Sequence, residues 1–232
     1  MRNTKSHVLV LALLAIVVAI SGTAKAQGTY DPVDKTYIIG DGQMKLEMSQ
    51  AFWKQVFINN GINLGSIGSA SLKSQSWRFP IVAGALDRVQ VIGEINHAGG
   101  LFMQKEIPGI GTIRVSIVSL TIDLTQSPAV LTGLLIFSDN YQTTNTGSNY
   151  GRVNIAELSL PPTMAPPIKE EAFKTIYKQD IVASMHADMA ALLNLVFNTT
   201  SFSAGNSVGS ISFFLVGVPS REHVVEDFIF RY

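Results

Sequence analysis

The sequence predicts a mainly β protein, an antiparallel β-sandwich-like domain with two or three accessory helices. Three observations carry that expectation. The stretch Val89–Phe137 holds three runs rich in β-branched and aliphatic residues, at Val89–Ile95, Thr112–Leu124 and Val130–Phe137, with glycine- and proline-bearing breaks between them. In the second run Ile113, Val115 and Ile117 alternate with Arg114 and Ser116, the period of two that sends successive side chains to opposite faces of a sheet. Helical spacing, by contrast, is confined to a segment after Ser49 and another after Pro167.

Residues 1–26 read as a secretory signal peptide. Arg2 and Lys5 are basic, Val8–Ile20 is apolar without interruption, and Ala24 and Ala26 stand where a signal peptidase needs small residues. The apolar run is shorter than the roughly 20 residues that span a bilayer, and no later stretch is long enough, so no transmembrane segment is expected after cleavage. The protein is expected to be exported, to the periplasm or the extracellular space of a bacterial cell envelope. Residues 27–36 form a flexible N-terminal segment, and 37–232 a single β-rich domain that includes a helical segment at 168–198.

Tyr37-Ile38-Ile39 followed by Gly40-Asp41-Gly42 reads as a short strand and a turn. Ser49 caps a helix with Ala51, Phe52, Trp53, Val56 and Phe57 on one face, stopped at Asn59-Asn60-Gly61. Gly61–Gln75 is a strand or irregular edge segment. Pro80 interrupts the apolar group Trp77, Phe79, Ile81 and Val82 and marks an edge strand or a bulge, because proline brings no N–H to a ladder. Gly84–Arg88 turns the chain into the central stretch. In Thr112–Leu124 the apolar set changes side near Ser119, which implies either burial on both faces or a bulge.

Ser138–Arg152 is the longest polar segment and reads as a surface loop, with Tyr141 and Tyr150 as aromatic recognition candidates inside it. Val153, Ile155, Leu158 and Leu160 make another strand. Pro161–Pro167 is a rigid connector. Beyond it Phe173, Ile176, Tyr177 and Ile181 fit one helix. Met185, Met189, Leu192, Leu193, Val196 and Phe197 fit a second, capped by Asp180 or Ser184. Phe202–Gly209 is a loop, Ile211–Val216 a strong strand, and Arg221–Tyr232 a terminal strand.

Composition removes several classes of function. Without its leader the chain keeps 206 of 232 residues, with 14 basic against 17 acidic, so it lacks the positive charge that nucleic-acid binding requires. It has no cysteine, so an exported fold of this kind must be held by burial alone. An apolar content of 47% beside 15% charged residues suits a β core with an apolar cavity or partner surface. No His-x-x-x-His pair, phosphate loop or dinucleotide fingerprint occurs. The nearest approach to a nucleophile elbow, Leu64-Gly65-Ser66-Ile67-Gly68, has leucine at the first glycine position. No catalytic residue and no metal site is therefore expected, and the protein reads as a non-enzyme.

His97 is the best single candidate for a binding role. It stands where an extended run meets Gly99 and Gly100, residues that let a backbone or a ligand approach closely. The same position suits a turn histidine hydrogen-bonded to the backbone.

Several of these segments, in this order, resemble the HtaA-type domain of exported bacterial haem-uptake proteins, or a related exported β-rich bacterial family. They are Leu46-Glu47-Met48-Ser49 with its helix, Phe79-Pro80-Ile81 with Gly84, and Gly93-Glu94-Ile95-Asn96-His97-Ala98-Gly99-Gly100-Leu101. Val115–Leu124, Val153–Leu158 and Phe202-Ser203-Ala204-Gly205 follow, so the likeness covers most of residues 44–217. It implies haem as cofactor, held by an axial tyrosine near the end of the first helix and supported by a histidine from a Gly-His-x-Gly segment. His97 falls at the histidine, with Asn96 in place of the preceding glycine. The tyrosine position falls on Phe57 or Ile58, neither of which supplies a phenolate oxygen to iron. Tyr141 and Tyr150 are the tyrosines that a polar loop would offer instead.

The candidate cofactor-binding residues are thus His97, Gly99, Gly100, Phe57, Tyr141 and Tyr150. Two functions remain. One is an exported module binding haem or another apolar small molecule. The other is a structural or protein-interaction domain, partnered by an envelope protein, with no small ligand.

Overall fold

The computed structural model describes residues 36–87, 92–138, 148–160 and 181–219. The expected signal peptide, Tyr141, the expected connector at Pro161–Pro167, the expected helix around Phe173–Tyr177 and the expected terminal strand at Arg221–Tyr232 lie outside these residues.

The described strands are β1 (Thr36–Met48), β2 (Asn63–Ile67), β3 (Ser71–Lys73), β4 (Ser76–Asp87), β5 (Gly93–His97), β6 (Gly100–Ile107), β7 (Gly111–Asp123), β8 (Ala129–Ser138), β9 (Ser148–Ser159), β10 (Ile181–Met185) and β11 (Ser207–Pro219). All belong to one antiparallel sheet. Its order runs β7-β5-β4-β1-β11-β10-β9-β8, and β8 pairs back onto β7. That last pairing closes eight strands into a barrel. The mainly β expectation holds, and the sandwich is corrected to a barrel. Alternation along each strand fixes an inner and an outer face, but it is the same in both architectures. What decides between them is the ladder from Arg114↔Ser138 to Asp123↔Val130, which leaves no free edge between β7 and β8.

Inward residues follow the period of two. Met44, Leu46 and Met48 come from β1, Trp77, Phe79 and Ile81 from β4, and Ile211, Phe213 and Leu215 from β11, all buried. In β7 the inward set is Ile113, Val115 and Ile117, then Leu120 and Ile122. The change of phase is a bulge. Ser119 takes φ 52, and the β7–β8 register shifts between Val118 and Thr121. On its other edge β7 pairs with β6 up to Gly100↔Val118 and with β5 from Asn96↔Thr121. β5 and β6 therefore act as one strand bent at Ala98-Gly99, opposite the bulge.

At this bend the sheet divides, β5 continuing beside β4 while β6 is flanked by the short edge strand β2. Pro80 lies where β4 exchanges β3 for β5 as its neighbour, and its carbonyl accepts from Ala98 N at 2.9 Å. In extended backbone the N and C=O of one residue face the same side. The missing N–H of Pro80 therefore falls in the gap between the two neighbours, and the β4–β5 register shifts just beyond it, between Ile81 and Ala83.

Several boundaries move. Gly40-Asp41-Gly42 is a bulge within β1, with the register shift between Ile39 and Asp41, rather than a turn. Gly84–Asp87 continues β4. Ser148–Arg152 opens β9, so the expected polar loop is shorter than its composition suggested. Within 168–198, Ile181–Met185 is strand β10, paired with both β9 and β11, and only Ala187–Val196 is helical among the described residues. Ser207–Gly209 already belongs to β11.

Two helices cover one end of the barrel. Met48 is the last residue of β1, after which Ser49 Oγ accepts from Phe52 N at 3.2 Å and starts α1 (Gln50–Phe52). α1 widens at once into a π-helix, Trp53–Ile58, and Gly61 ends the segment with φ 65. Met185 likewise ends β10, and His186 caps α2 (Ala187–Val196) by accepting from Asp188 N. Asp180 and Ser184 are not the cap. The register puts Met48 opposite Gly209 and Ser184 opposite Ser207, so both helices leave the barrel at the start of β11.

Candidate functional site

Under the two helices lies a cavity of about 40 Å³. Met48, Met103, Met185 and Met189 line it together with leucine, isoleucine, alanine and valine side chains, and Phe52 and Phe57 close it from the helical side. No charged, hydroxyl, amide or imidazole side chain belongs to this lining. An aromatic chain continues outward. Phe57 meets Phe52, Trp53 and Phe202 edge-on at centroid distances of 5.5, 6.1 and 6.0 Å, and Trp53 leans on Trp77 at 5.8 Å.

The ends of the helices are latched together. Asn60 Nδ2 donates to the carbonyls of Gln55 and Val56 at the end of the π-helix and to Ser201 Oγ at 3.0 Å. Its Oδ1 accepts from Thr199 Oγ1 at 2.8 Å. Lys105 Nζ caps the other helix at the carbonyl of Phe197, 2.9 Å away.

His97 ends β5 and shares its face with Ile95, toward the barrel interior. It is 3% exposed. Nδ1 stands 3.1 Å from the carbonyl oxygen of Leu120. A carbonyl only accepts, so Nδ1 carries the proton and Nε2 presents a bare lone pair. Nε2 is buried and meets no hydrogen-bond partner among the described residues. Burial pushes the imidazole down to about 4, against a smaller upward effect of the Leu120 hydrogen bond, so the ring is neutral at pH 7. Leu120 links this histidine to the cavity: its carbonyl holds the ring, and its side chain is part of the cavity wall.

The two glycines serve the backbone. A Cβ on Gly99, whose φ is 78, would come within 2.5 Å of Ala70 N and 2.7 Å of Ile67 O, where the β2–β3 turn passes. A Cβ on Gly100 would collide with the carbonyl of Ile117 on β7. Phe57 is buried in the cavity wall, while Ile58 is 59% exposed and turned away. Tyr150 lies in β9 with its ring 6.2 Å from that of Phe137, outside the cavity lining. The structure thus brings Phe57 to the cavity, keeps His97 out of its lining but hydrogen-bonded to the carbonyl of the lining residue Leu120, and puts Tyr150 outside the lining.

The described residues do not fit a haem held by tyrosinate. The position near the end of the first helix offers a phenyl ring or an outward isoleucine, and thioethers are the only donor atoms in the cavity wall. Among the described residues no three histidine, aspartate or glutamate side chains gather into a metal site.

Sequence reasoning missed the four methionines. The signal available was that Met48 and Met185 each precede a helix cap directly, which makes them the last inward residues of their strands at the covered end.

No protein-family model matches the chain. No curated protein matches it by sequence either. Among solved structures it is similar to the C-terminal domain of HtaA from Corynebacterium glutamicum, with a TM-score of 0.54 and 16% identity over 78% of this chain and 99% of that domain. It is also similar to the N-terminal domain of the same protein, with a TM-score of 0.53 and 12% identity over 77% of this chain and 97% of that domain. At such identities the likeness concerns the path of the chain, and it is consistent along nearly the whole of both domains. The barrel with its helical cover is an HtaA-like fold.

Proposed function

We propose that this protein is an exported, non-enzymatic module that binds a small apolar molecule inside the helix-covered end of its barrel. The observation that carries the proposal is the cavity beneath α1, the π-helix and α2, walled by apolar side chains from these three elements and from seven strands. Ligand sites of small barrels lie at such ends. As it stands, 40 Å³ is well below the roughly 150 Å³ that holds a benzene. Four methionines in the wall supply the adjustment, because an unbranched thioether chain shifts among rotamers at little cost. The π-helix is a local irregularity of a kind found frequently at functional sites. Export is supported by the layout of the first 26 residues.

Haem, implied by the family resemblance, is a candidate of the right apolar character but finds no tyrosinate among the described cavity residues. The proposal therefore concerns an apolar ligand that needs no iron ligation. The test is a titration of the purified protein with the neutral dye N-phenyl-1-naphthylamine, read by fluorescence, beside a haem titration read by visible absorption. One saturable dye site, lost when the cavity is filled by Ala183→Leu, is the expected result. A haem band that saturates at one equivalent and disappears in His97→Ala would replace the metal-free reading by haem binding. Non-saturating dye and haem signals, unchanged in both variants, would overturn ligand binding and leave the interaction-domain reading.

A further inference from the structure

The nitrogen of His97 that meets no partner among the described residues sets a chemical requirement on whatever the interior admits. Buried polar atoms in proteins are nearly always hydrogen-bonded, and each exception calls for a partner or a reason. Here the reason is not a mobile side chain: the ring is fixed by the Leu120 carbonyl at 3.1 Å and enclosed to 3% exposure. The bond at Nδ1 also decides the character of Nε2. With the proton committed to Leu120, Nε2 accepts and does not donate. A carboxylate, a carbonyl or an ether oxygen would place one lone pair against another.

We infer that the apolar ligand carries a neutral hydrogen-bond donor, a hydroxyl being the simplest, and that His97 Nε2 receives it. The inference rests on the proposed apolar-ligand reading and narrows it to apolar alcohols and phenols, against hydrocarbons and fatty carboxylates. Leu120 is common to the cavity and the ring: its side chain lines the one and its carbonyl holds the other, so a ligand would have to displace wall side chains at this residue to reach the imidazole. The bulge at Ser119 makes such a displacement local, since β7 is already released from regular pairing there.

A matched pair tests this. 1-Naphthol and naphthalene have nearly the same apolar body and differ by one hydroxyl. Each is used to displace N-phenyl-1-naphthylamine from the wild-type protein and from His97→Leu at pH 7. Naphthol should compete about fivefold or more better than naphthalene in the wild type, the preference that one buried hydrogen bond gives. The preference should fall to near parity in the variant. An equal ratio in the two proteins overturns the inference, as does a wild-type ratio near one, which is also what a trapped water on Nε2 would give.

Because His97→Leu can perturb folding, the wild type labelled with 15N-histidine supplies a second reading. The Nε2 resonance should move toward the hydrogen-bonded range with naphthol and stay in place with naphthalene. An unmoved resonance while naphthol is bound refutes the inference. If neither compound displaces the dye and the dye itself does not bind, the proposed function has failed. If the dye binds and the pair is not distinguished, only the hydroxyl requirement has failed.

Discussion

Acidification should weaken this fold through one residue. In the unfolded chain His97 protonates near 6.5, whereas in the barrel burial holds it down to about 4. The unfolded state therefore binds the proton more tightly, and stability is lost as pH falls through 6.5 and continues to fall until about pH 4. A gap of that size corresponds to roughly 3 kcal/mol in total, of which ~2 kcal/mol is lost between pH 7 and pH 5. The ring is enclosed, so solvent screening removes little of this. Glu94 works in the opposite sense. Burial first, and then the charge of Asp123, raise its pKa against the pull of Arg152, so its contribution favours the fold as pH falls. The assay is urea unfolding at pH 7, 6 and 5 for the wild type and for His97→Gln. Glutamine does not titrate and keeps an N–H within reach of Leu120. Every other ionisable group is common to both proteins, so the difference between the two pH profiles isolates His97. The wild type should lose ~2 kcal/mol more than the variant between pH 7 and pH 5. Parallel profiles would refute the account of a neutral, enclosed imidazole.

Other consequences are local. Leu193→Ala removes a wall side chain from the cavity and should cost about 3–5 kcal/mol in chemical unfolding while strengthening dye binding, since the space it leaves suits a small aromatic. Gly99→Ala should destabilise by about 1–3 kcal/mol, because φ 78 and the nearby Ala70 amide both oppose a side chain there; a melting curve identical to wild type would contradict this. Arg152 Nη1 donates to the Ser119 carbonyl at 3.1 Å, to Thr121 Oγ1 at 2.9 Å and to Thr132 Oγ1 at 3.0 Å. Arg152→Ala should therefore cost about 1–2 kcal/mol and speed amide exchange around Ser119, measurable by NMR. Asn60→Ala breaks the latch between the helix ends and should raise the rate of dye entry in stopped-flow fluorescence more than it changes the final affinity.

How much of this was readable in the sequence depends on how far apart the partners lie. The β7 and β8 strands, the bulge at Ser119 and the Ser49 cap each express themselves within a few residues, in alternation, its interruption and a hydroxyl before an apolar face. The barrel does not, because its closure depends on which strands meet, and β1 joins β4 and β11 through pairings that no local pattern encodes. β10 looked helical because Ile181 follows Tyr177 and Met185 precedes Met189 by four residues each, whereas an even spacing such as that between Ile181 and Met185 also puts both on the inner face of a strand. The candidate site divides in the same way. His97 and Phe57 stood out by residue type and by likeness to a family. The methionine-lined cavity did not, since Met48, Met103, Met185 and Met189 come from four separate elements and each alone is an ordinary apolar residue.

The irregularity of β7 ties the fold to the site. A regular β7 would keep Ile113, Val115, Ile117, Ser119 and Thr121 on one face, putting two polar residues into the interior and Leu120 and Ile122 outside it. The bulge reverses this. It turns Leu120 and Ile122 inward and leaves Thr121 on the outer face, where its hydroxyl donates to Asn96 and accepts from Arg152. It also faces the bend between β5 and β6, where Ser119 N donates to the Gly99 carbonyl at 3.1 Å. Leu120 falls outside the registers of β7 with β5, β6 and β8, and its carbonyl holds His97. One inserted residue thus sets the inner face of half a strand, the bend that divides the sheet, and the tautomer of the buried histidine. It follows that a substitution loosening the bulge from outside, such as Arg152→Ala, should alter the His97 Nε2 resonance although the two side chains lie on opposite faces of the sheet. A change at Tyr150, which packs on Phe137, should leave that resonance where it is.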